Sequence, residues 1–511
     1  MATNVAVEQT TAFALAEKAK LIKSLRRFDM VFFTICAFVG LDTLGSVAKN
    51  GPQGFLWLVV LAVVFVAPYM LMMSEVGAAF TEEGGPYEWT KMAFGRLHGG
   101  IAAILYWVTN PLWVGGSLAF IAASSWSANV SPIGTATFGD YAFKLIFIWI
   151  SIGVAIISLR HGKWIPNFGA ILRFAVLGFF SLTVIIYGIK HGVAGFQTSK
   201  LTPTGAIFLG LVPLLLFNYV GFELQNGAAE EMENPQKDVP LSVLRSGVTG
   251  VLMYVIPIFC ILLVLPASKV TGIGGFISAV TLTFHGVYGS AAHGLLIVMT
   301  LCFIGALVTS GAVWMIGSDR IQAVASYDGA FFPFFGVFNK KLGTPVRVNV
   351  LSGITSSVFA IVAIYMLKNN STASAFTVVL DIAISTTLIS YLWIFPAVLK
   401  LRYSYPHVRR TFVHPWGMTG IWVSTALVTG WIVLGSWVAV FPGVLERIFG
   451  IPYDFHGTWG VHRGLFEALT LGTLGVILAI GLIGYWFGRE VRSQDATAPI
   501  GEVIPPSPLE A

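Results

Sequence analysis

The sequence predicts an all-α polytopic membrane protein with twelve transmembrane helices. Of its 511 residues, 56% are hydrophobic and only 11% are charged, and a soluble chain could not bury so much apolar surface. The apolar residues also fall into runs long enough to cross about 30 Å of hydrocarbon. These predicted spans, called segments 1 to 12 in chain order, are 29–49, 54–76, 98–126, 142–159, 168–190, 204–227, 241–266, 290–318, 347–367, 373–397, 418–442 and 464–488.

Lysine and arginine are distributed unequally between the two sides of the predicted membrane. With a cytoplasmic N-terminus, 21 of the 30 basic residues fall in inner connections, eight fall in outer connections, and Arg173 lies within a segment. The positive-inside rule therefore predicts that both termini are cytoplasmic. We expect a protein of the cell (plasma or inner) membrane, surrounded by lipid, as a monomer or a weak homo-dimer.

The two ends of the chain are polar. Residues 1–27 form a basic tail, in which 12–27 alternate apolar and basic residues. Either this stretch is a helix on the anionic inner leaflet, or it is a solvated tail that only enforces topology. Residues 491–511 are rich in proline and polar side chains, which predicts a disordered cytoplasmic tail.

Segment 1 carries an ionisable residue at its midpoint, where Asp42 lies between Gly40 and Gly45. A carboxylate in the bilayer centre is costly unless a cation or water meets it, and glycines weaken a helix. Either these residues form a site, or the glycines only permit close packing and Asp42 has a structural partner. Segment 6 repeats the pattern at its own midpoint, where Val220-Gly221-Phe222-Glu223 matches Val39-Gly40-Leu41-Asp42.

The repeated pattern suggests an inverted repeat. With five helices per repeat, the two copies enter the membrane from opposite sides. Paired helix breaks of this kind are typical of secondary transporters, whose binding site lies near the membrane midplane between the broken helices. The sequence therefore predicts a central site at the breaks in segments 1 and 6.

Three blocks of the sequence resemble the amino acid–polyamine–organocation permeases. They are GAAFTEEGGPYEWTKMAFG at 77–95, FNYVGFELQNGAAEEMENPQKDVP at 217–240 and SDRIQAVASYDGAFFPFFGVFNKKLGTPVRVN at 318–349. The resemblance covers about residues 28–402 and implies alternating access around broken helices 1 and 6. It implies a five-plus-five inverted repeat with copies at about 28–190 and 204–402, followed by segments 11 and 12 within 403–490.

Segment 1 departs from the family pattern at the expected substrate site. Most amino acid permeases have a Gly-Ser-Gly-like stretch there, whose free backbone N–H groups receive the substrate carboxylate. This chain has Gly40-Leu41-Asp42 instead. Because an ionised Asp42 would repel a carboxylate, the sequence favours a substrate that bears an amine.

The candidate substrate residues come from segments 1, 3, 6 and 8. Glu223 either binds a substrate amine or caps unwound backbone, and Asn110 either satisfies backbone freed by Pro111 or faces the cavity. By resemblance, Phe217 and Trp314 fall where aromatic side chains close over substrate, although such residues commonly serve packing. The full set is Gly40, Leu41, Asp42, Thr43, Asn110, Trp113, Phe217, Asn218, Val220, Gly221, Glu223 and Trp314.

Four further residues are candidates for ion coupling. Arg173 lies in segment 5 where several relatives carry a lysine, at the place that sodium takes in related folds. Arginine is always protonated, so Arg173 would be a fixed cation unless it only snorkels to the interface. Thr309 and Ser310 would ligate sodium or bond their own backbone. Asp381 is a further mid-membrane carboxylate, and we expect at least one of Asp42, Glu223 and Asp381 to be ionised and to face the cavity.

Other classes of protein are disfavoured. The sequence has no phosphate-binding glycine loop, no metal-ligand spacing, no filter-like repeat and no polar catalytic set near an interface. We therefore expect no enzyme activity, no cofactor and no bound metal. The basic residues are strung between apolar runs, which excludes nucleic acid as a partner. The three cysteines lie in apolar segments, and we expect no disulfide.

The sequence thus predicts a secondary active transporter. It would move amino acids or related amines and polyamines by alternating access, with proton or sodium coupling or by exchange. The alternative is a transporter-like membrane sensor that binds an amine without net transport.

Overall fold

The protein is a multi-pass α-helical membrane protein. The structure, a computed structural model, describes residues 7–21, 23, 25–157, 164–193, 195–367 and 372–499. Within these residues, ten helices are long and apolar enough to cross a membrane. They correspond to predicted segments 2–5 and 7–12.

The ten helices begin and end close to the predicted positions. Segments 2 and 3 each contain one π-helical turn, Ala62–Val66 and Val114–Leu118, which shifts the register of the side chains that follow. The bounds are Gly51–Ala79, Arg96–Asn129, Phe138–Ile157, Trp164–His191, Pro235–Val264, Ala292–Tyr327, Val346–Leu367, Thr372–Ser404, Gly417–Val440 and Arg463–Phe487.

Segments 1 and 6 are interrupted, as the glycine-flanked acids predict. Segment 1 consists of Arg27–Phe38 and Leu44–Ala48 with irregular backbone between them. In segment 6, the α-helix Gly205–Asn218 is followed by irregular backbone and then by the 3-10 helix Leu224–Glu231. The interruption lies at the centre of predicted segment 1, whereas in predicted segment 6 it lies toward the C-terminal end of the span.

Shorter helices form the connections. Gly85–Phe94 follows segment 2, and Gly275–Tyr288 lies between segments 7 and 8. The remaining short α-helices are Ala12–Lys18, Val444–Ile448, Phe455–Trp459 and Arg489–Arg492, and the short 3-10 helices are Thr198–Lys200, Ala267–Lys269, Gly289–Ala291 and Pro333–Phe335.

The centre of the bundle is formed by segments 3, 8 and 10, and segment 12 is the most exposed. Segment 1 packs against segments 5, 7 and 8, while segment 7 also packs against segment 2. Large exposed apolar side chains such as Ile185, Leu252 and Ile483 cover the outer faces, where lipid would solvate them. The two broken segments are therefore held inside a ring of continuous helices.

The chain ends meet in a small antiparallel sheet. Strand β1, Val7–Thr11, pairs with strand β2, Asp495–Pro499. The prediction of disorder is therefore wrong for this part of the C-terminal tail, because backbone pairing and an Arg96–Asp495 ion pair of 2.8 Å order it. The rest of the tail, 500–511, lies outside the described residues.

The N-terminal tail lies on the protein itself. The Thr11 hydroxyl donates to the carbonyl of Tyr327 at 2.9 Å, and a Glu17 carboxylate oxygen accepts from the backbone N–H of Phe338 at 3.0 Å. Tyr327 is the last residue of the segment 8 helix, and Phe338 lies in the connection between segments 8 and 9. These contacts fix the helix Ala12–Lys18 to the protein, so it is not a freely solvated tail.

The break in segment 6 depends on a glycine. Gly221 has a φ of +122°, and a Cβ added there would lie 2.8 Å from the Trp314 ring. Gly221→Ala should lower the free energy of unfolding by about 1–3 kcal/mol, because it adds backbone strain and a clash. Thermal unfolding of the purified protein in detergent measures the loss.

Gly210 provides the matched control in the same segment. It is helical, and its added Cβ would meet open space. Gly210→Ala should therefore unfold at or above the wild-type temperature. Equal melting temperatures for Gly221→Ala and wild type would show that the break does not need a glycine.

Candidate functional site

A cavity lies where the two helix breaks meet. Its volume is about 20 Å³, which is room for about one water molecule. Five of its lining residues were missed from the sequence: Ala37, Phe38, Thr109, Tyr254 and Thr387. Nine of the twelve predicted substrate residues line it: Gly40, Asp42, Thr43, Asn110, Trp113, Phe217, Asn218, Val220 and Trp314.

The two carboxylate oxygens of Asp42 differ in their hydrogen bonding. Its Oδ2 accepts hydrogen bonds from Trp113 Nε1 at 2.8 Å and from the Ser117 hydroxyl at 2.6 Å. Its Oδ1 is buried and has no hydrogen-bond partner among the described residues. Because two donors on segment 3 orient the carboxyl group, the second oxygen is available to a ligand in the cavity.

Tyr254 of segment 7 caps the break in segment 1. Its hydroxyl accepts from the backbone N–H of Gly40 at 2.8 Å and donates to the carbonyl of Phe38 at 2.9 Å. Trp314 of segment 8 donates to the adjacent carbonyl of Ala37 at 2.8 Å. The unwound backbone is thus satisfied by side chains, as an interruption inside a membrane bundle requires.

Arg173 supplies the third partner of this backbone. It is fully buried, and its Nε donates to the carbonyl of Val39 at 2.9 Å. Its other N–H groups donate to the carbonyls of Gly169 at 2.8 Å and Ala306 at 3.1 Å. In the described part of the chain, no carboxylate lies within ion-pair distance of its guanidinium. The snorkelling alternative is wrong, because the side chain joins segments 1, 5 and 8 in the interior.

Glu223 occupies a different environment from Asp42. It does not line the cavity, because three tyrosine hydroxyls bind its carboxylate. Tyr106 and Tyr391 donate to Oε1 at 2.6 and 2.5 Å, and Tyr69 donates to Oε2. The Tyr69 hydroxyl in turn accepts from the backbone N–H of Gly221 at 3.0 Å. Glu223 therefore supports the unwound backbone indirectly, through Tyr69.

Leu41 and Gly221 also lie off the cavity lining. Leu41 is buried in the apolar core. Gly221 directs its N–H to Tyr69, and its Cα faces the Trp314 ring. Both residues were predicted to bind substrate because their neighbours in the motif were. The irregular backbone at the breaks directs them away from the cavity.

Two asparagines add polar groups to the lining. Both amide atoms of Asn218 are buried without a hydrogen-bond partner in the described part of the chain. Asn110 lines the cavity, and its amide also donates to the carbonyl of Tyr106 at 3.2 Å rather than to the Trp107 carbonyl that Pro111 leaves free. Asn218 is therefore a second group available to a ligand.

Aromatic rings form the apolar part of the cavity. Trp113 meets Phe217 edge to face at 6.2 Å between ring centroids, and it meets Trp314 in the same way at 6.3 Å. A cation near such ring faces is attracted by their quadrupoles. The cavity thus combines one available carboxylate oxygen, an amide and aromatic rings.

The remaining ion-coupling candidates do not converge on one position. The Thr309 hydroxyl donates to Ala306 at 2.9 Å and accepts from Arg173 at 3.3 Å, so it is not placed to ligate sodium. Ser310 is buried, and its hydroxyl has no hydrogen-bond partner among the described residues. Asp381 is buried away from the cavity lining, so Asp42 alone of the three mid-membrane carboxylates lines the cavity.

Some site residues gave little signal in the sequence. Ser117 lies four residues after Trp113, so helical spacing alone places both on one face of segment 3. Tyr254 is one of several aromatic residues in an apolar segment. Its role follows only from the packing of segment 7 against segment 1.

The chain belongs to the amino acid permease family, whose sequence pattern matches residues 25–458. It is 28% identical over 389 residues to the probable agmatine/putrescine antiporter AguD of Lactococcus lactis, covering 75% of this chain and 81% of that protein. It is 24% identical over 440 residues to the branched-chain amino acid permease BcaP of Bacillus subtilis, covering 80% of this chain and 87% of that protein. These relatives are transporters.

The fold is shared with a solved transporter structure. A mutant of the manganese transporter from Eremococcus coleocola superposes with a TM-score of 0.58 at 11% sequence identity. The superposition covers 96% of this chain and 98% of that chain. At this identity the likeness concerns the fold alone.

Arg173→Lys should destabilise the protein. A lysine has three donors on a flexible stem and cannot reproduce the five-donor fork, so buried carbonyls of Val39 or Ala306 lose their partner. Each unsatisfied group costs about 1–3 kcal/mol. Thermal unfolding should show a lower melting temperature, whereas Arg245→Lys, at an exposed position of segment 7, should not. Equal melting temperatures for both variants would contradict the bridging role of Arg173.

Proposed function

We propose that the protein is a secondary active transporter of amines in the cell membrane, with both termini in the cytoplasm. It would carry polyamines, related amines or amino acids by alternating access, in exchange or with proton coupling. One observation carries the proposal: Asp42, whose Oδ1 has no hydrogen-bond partner among the described residues, lines a cavity between two broken helices. Transporters of this architecture bind substrate at such breaks.

The proposed architecture has twelve spans and a five-plus-five inverted repeat. Gly40 and Gly221 hold the same place in the two copies of the motif. The backbone N–H of each glycine donates a hydrogen bond to a tyrosine hydroxyl. Tyr254 comes from segment 7 and Tyr69 from segment 2, the second helix of the opposite repeat in each case. This reciprocal capping supports the repeat, because two-fold pseudo-symmetry would produce it.

The cavity favours an ammonium group over a carboxylate. Asp42 Oδ1 would accept from the ammonium, the Asn218 amide would bind a second polar group, and the rings of Trp113 and Trp314 would face the charge. A substrate carboxylate would meet the like charge of Asp42. The similarity to a protein named as an agmatine/putrescine antiporter agrees with a cationic substrate.

Arg173 would act as a fixed cation rather than as the proton carrier. Arginine side chains in proteins are always charged, and the donors of Arg173 are used by backbone carbonyls of segments 1, 5 and 8. If transport is proton-coupled, a carboxyl group must carry the proton.

Asp42→Asn should weaken amine binding by more than tenfold. Removal of one partner of a desolvated charge pair costs about 2–5 kcal/mol, and the near-isosteric amide still accepts from Trp113 and Ser117. The measurement is binding and uptake of radiolabelled putrescine, agmatine and leucine in proteoliposomes. Asp381→Asn is the control, because it neutralises a buried carboxylate off the cavity and should bind the same ligand as wild type does.

Two results would contradict this account. Unchanged putrescine and agmatine binding by Asp42→Asn would remove Asp42 from the site. Tight leucine binding without any amine binding would exclude the amine preference while leaving a permease. Binding without accumulation would instead indicate a membrane sensor.

A further inference from the structure

Two pairs of glutamates meet on the polar face that carries the connections after segments 2 and 6. The backbone N–H of Glu83 donates to the Glu230 carboxylate at 3.2 Å, and the backbone N–H of Glu230 donates to the Glu83 carboxylate at 3.1 Å. The two connections are therefore joined through each other's side chains. Glu82-Glu83 lie in the connection after the segment 2 helix, and Glu230-Glu231 are the last two residues of the 3-10 helix that follows the segment 6 break.

Arg320 of segment 8 lies between two of these acids. Its guanidinium is 2.9 Å from the Glu231 carboxylate and 3.6 Å from Glu83 Oε1. Its remaining donors bind the carbonyls of Ile316 at 3.2 Å and Gly343 at 2.8 Å. All three charged side chains are buried. The cluster connects segments 2 and 6 with segment 8.

The charges of the Glu83–Arg320–Glu231 cluster do not balance. One guanidinium faces two buried carboxylates, and Glu83 Oε1 has no hydrogen-bond partner among the described residues. Glu230 is also adjacent and forms an ion pair with Lys18 of the N-terminal helix at 3.0 Å. A buried carboxylate without its own counter-charge is expensive, so a proton is favoured there.

Burial and the neighbouring glutamates both favour the protonated form of Glu83. Burial raises the pKa of Glu83 well above its ordinary value, the negative charge of Glu231 raises it further, and Arg320 only partly opposes them. Burial also raises the pKa of Glu231, against the lowering effect of Arg320. Tyr327 of segment 8 is also buried, and its phenol group cannot supply a positive charge to balance the carboxylates. Two carboxyl groups that interact in this way titrate as a pair, so a bound proton belongs to the pair rather than to one residue.

The geometry points to a proton-binding site at which Glu83 and Glu231 share one proton while they hold Arg320, and which closes this face of the protein. The inference rests on the proposed alternating access, in which segments 2 and 6 part from segment 8 as the face opens. Separation would hydrate both carboxyl groups and return them to ordinary acidity. In the proposed topology this proton comes from the cytoplasm and returns to the cytoplasm. It therefore sets the fraction of molecules whose cytoplasmic face is closed, and it does not drive transport because it does not cross the membrane.

The raised pKa determines how the stability of the closed state changes with pH. A carboxyl group whose pKa is raised in the closed state stabilises that state at low pH. The stabilisation is lost as the pH rises through the raised pKa. The closed face should therefore open as the pH increases.

A distance measurement on substrate-free protein tests the inference. Spin labels at Lys237→Cys in segment 7 and Lys340→Cys in the connection after segment 8, with the half-buried Cys302 replaced by serine, report separation of the two sides in nanodiscs. In the protein that carries only the labelling substitutions, the distance between the two spin labels should shift from short to long as the pH rises from 5 to 8. With one proton bound, the ratio of open to closed molecules should rise by up to about tenfold per pH unit.

Three variants test whether Glu83 and Glu231 cause the pH-dependent change in distance. Glu83→Gln and Glu231→Gln each leave one carboxylate for one guanidinium, so both should lose the pH-dependent shift. Glu233→Gln, in the same connection but exposed and paired with Arg26, should keep it. No shift in the wild-type background, or a normal shift in both cluster variants, would overturn the inference. The measurement involves no substrate, so failure of the transport proposal is detected separately by the uptake assay.

Discussion

The structure depends on how the unwound backbone of segment 1 is satisfied. Three successive carbonyls at the end of its first half accept from Trp314, Tyr254 and Arg173, which come from segments 8, 7 and 5. Unpaired carbonyls in a membrane interior cost several kcal/mol each. These three bonds therefore hold the break open and fix segment 1 against its neighbours, and they place Asp42 beside the cavity.

The two acids of the repeated motif show how one sequence pattern yields two roles. The Glu223 carboxylate is bound by three tyrosine hydroxyls, so its place is structural. Asp42 is oriented through one oxygen by Trp113 and Ser117, and its other oxygen has no partner among the described residues. The difference lies in the surrounding helices: tyrosines from segments 2, 3 and 10 meet at Glu223, whereas Asp42 lines the cavity. Substrate chemistry is thus proposed at only one of two similar positions.

Much of this arrangement could be predicted from local patterns. Hydrophobic runs located the spans, and glycines beside mid-membrane acids located both breaks, because these signals depend on neighbouring residues alone. The partners of Glu223 and the capping by Tyr254 could not be predicted, because they join residues more than 100 positions apart. The ordered β2 strand was missed for the same reason, since its partner strand lies at the other end of the chain.

The central claim is that Asp42 Oδ1 receives a substrate ammonium group. A cryo-electron microscopy structure of the protein with putrescine, at a resolution that shows the ligand, tests it most directly. The account predicts an ammonium nitrogen within about 3 Å of Asp42 Oδ1, with Trp113 and Ser117 still bound to Oδ2. Putrescine bound elsewhere, with Asp42 Oδ1 turned to a protein donor, would contradict it.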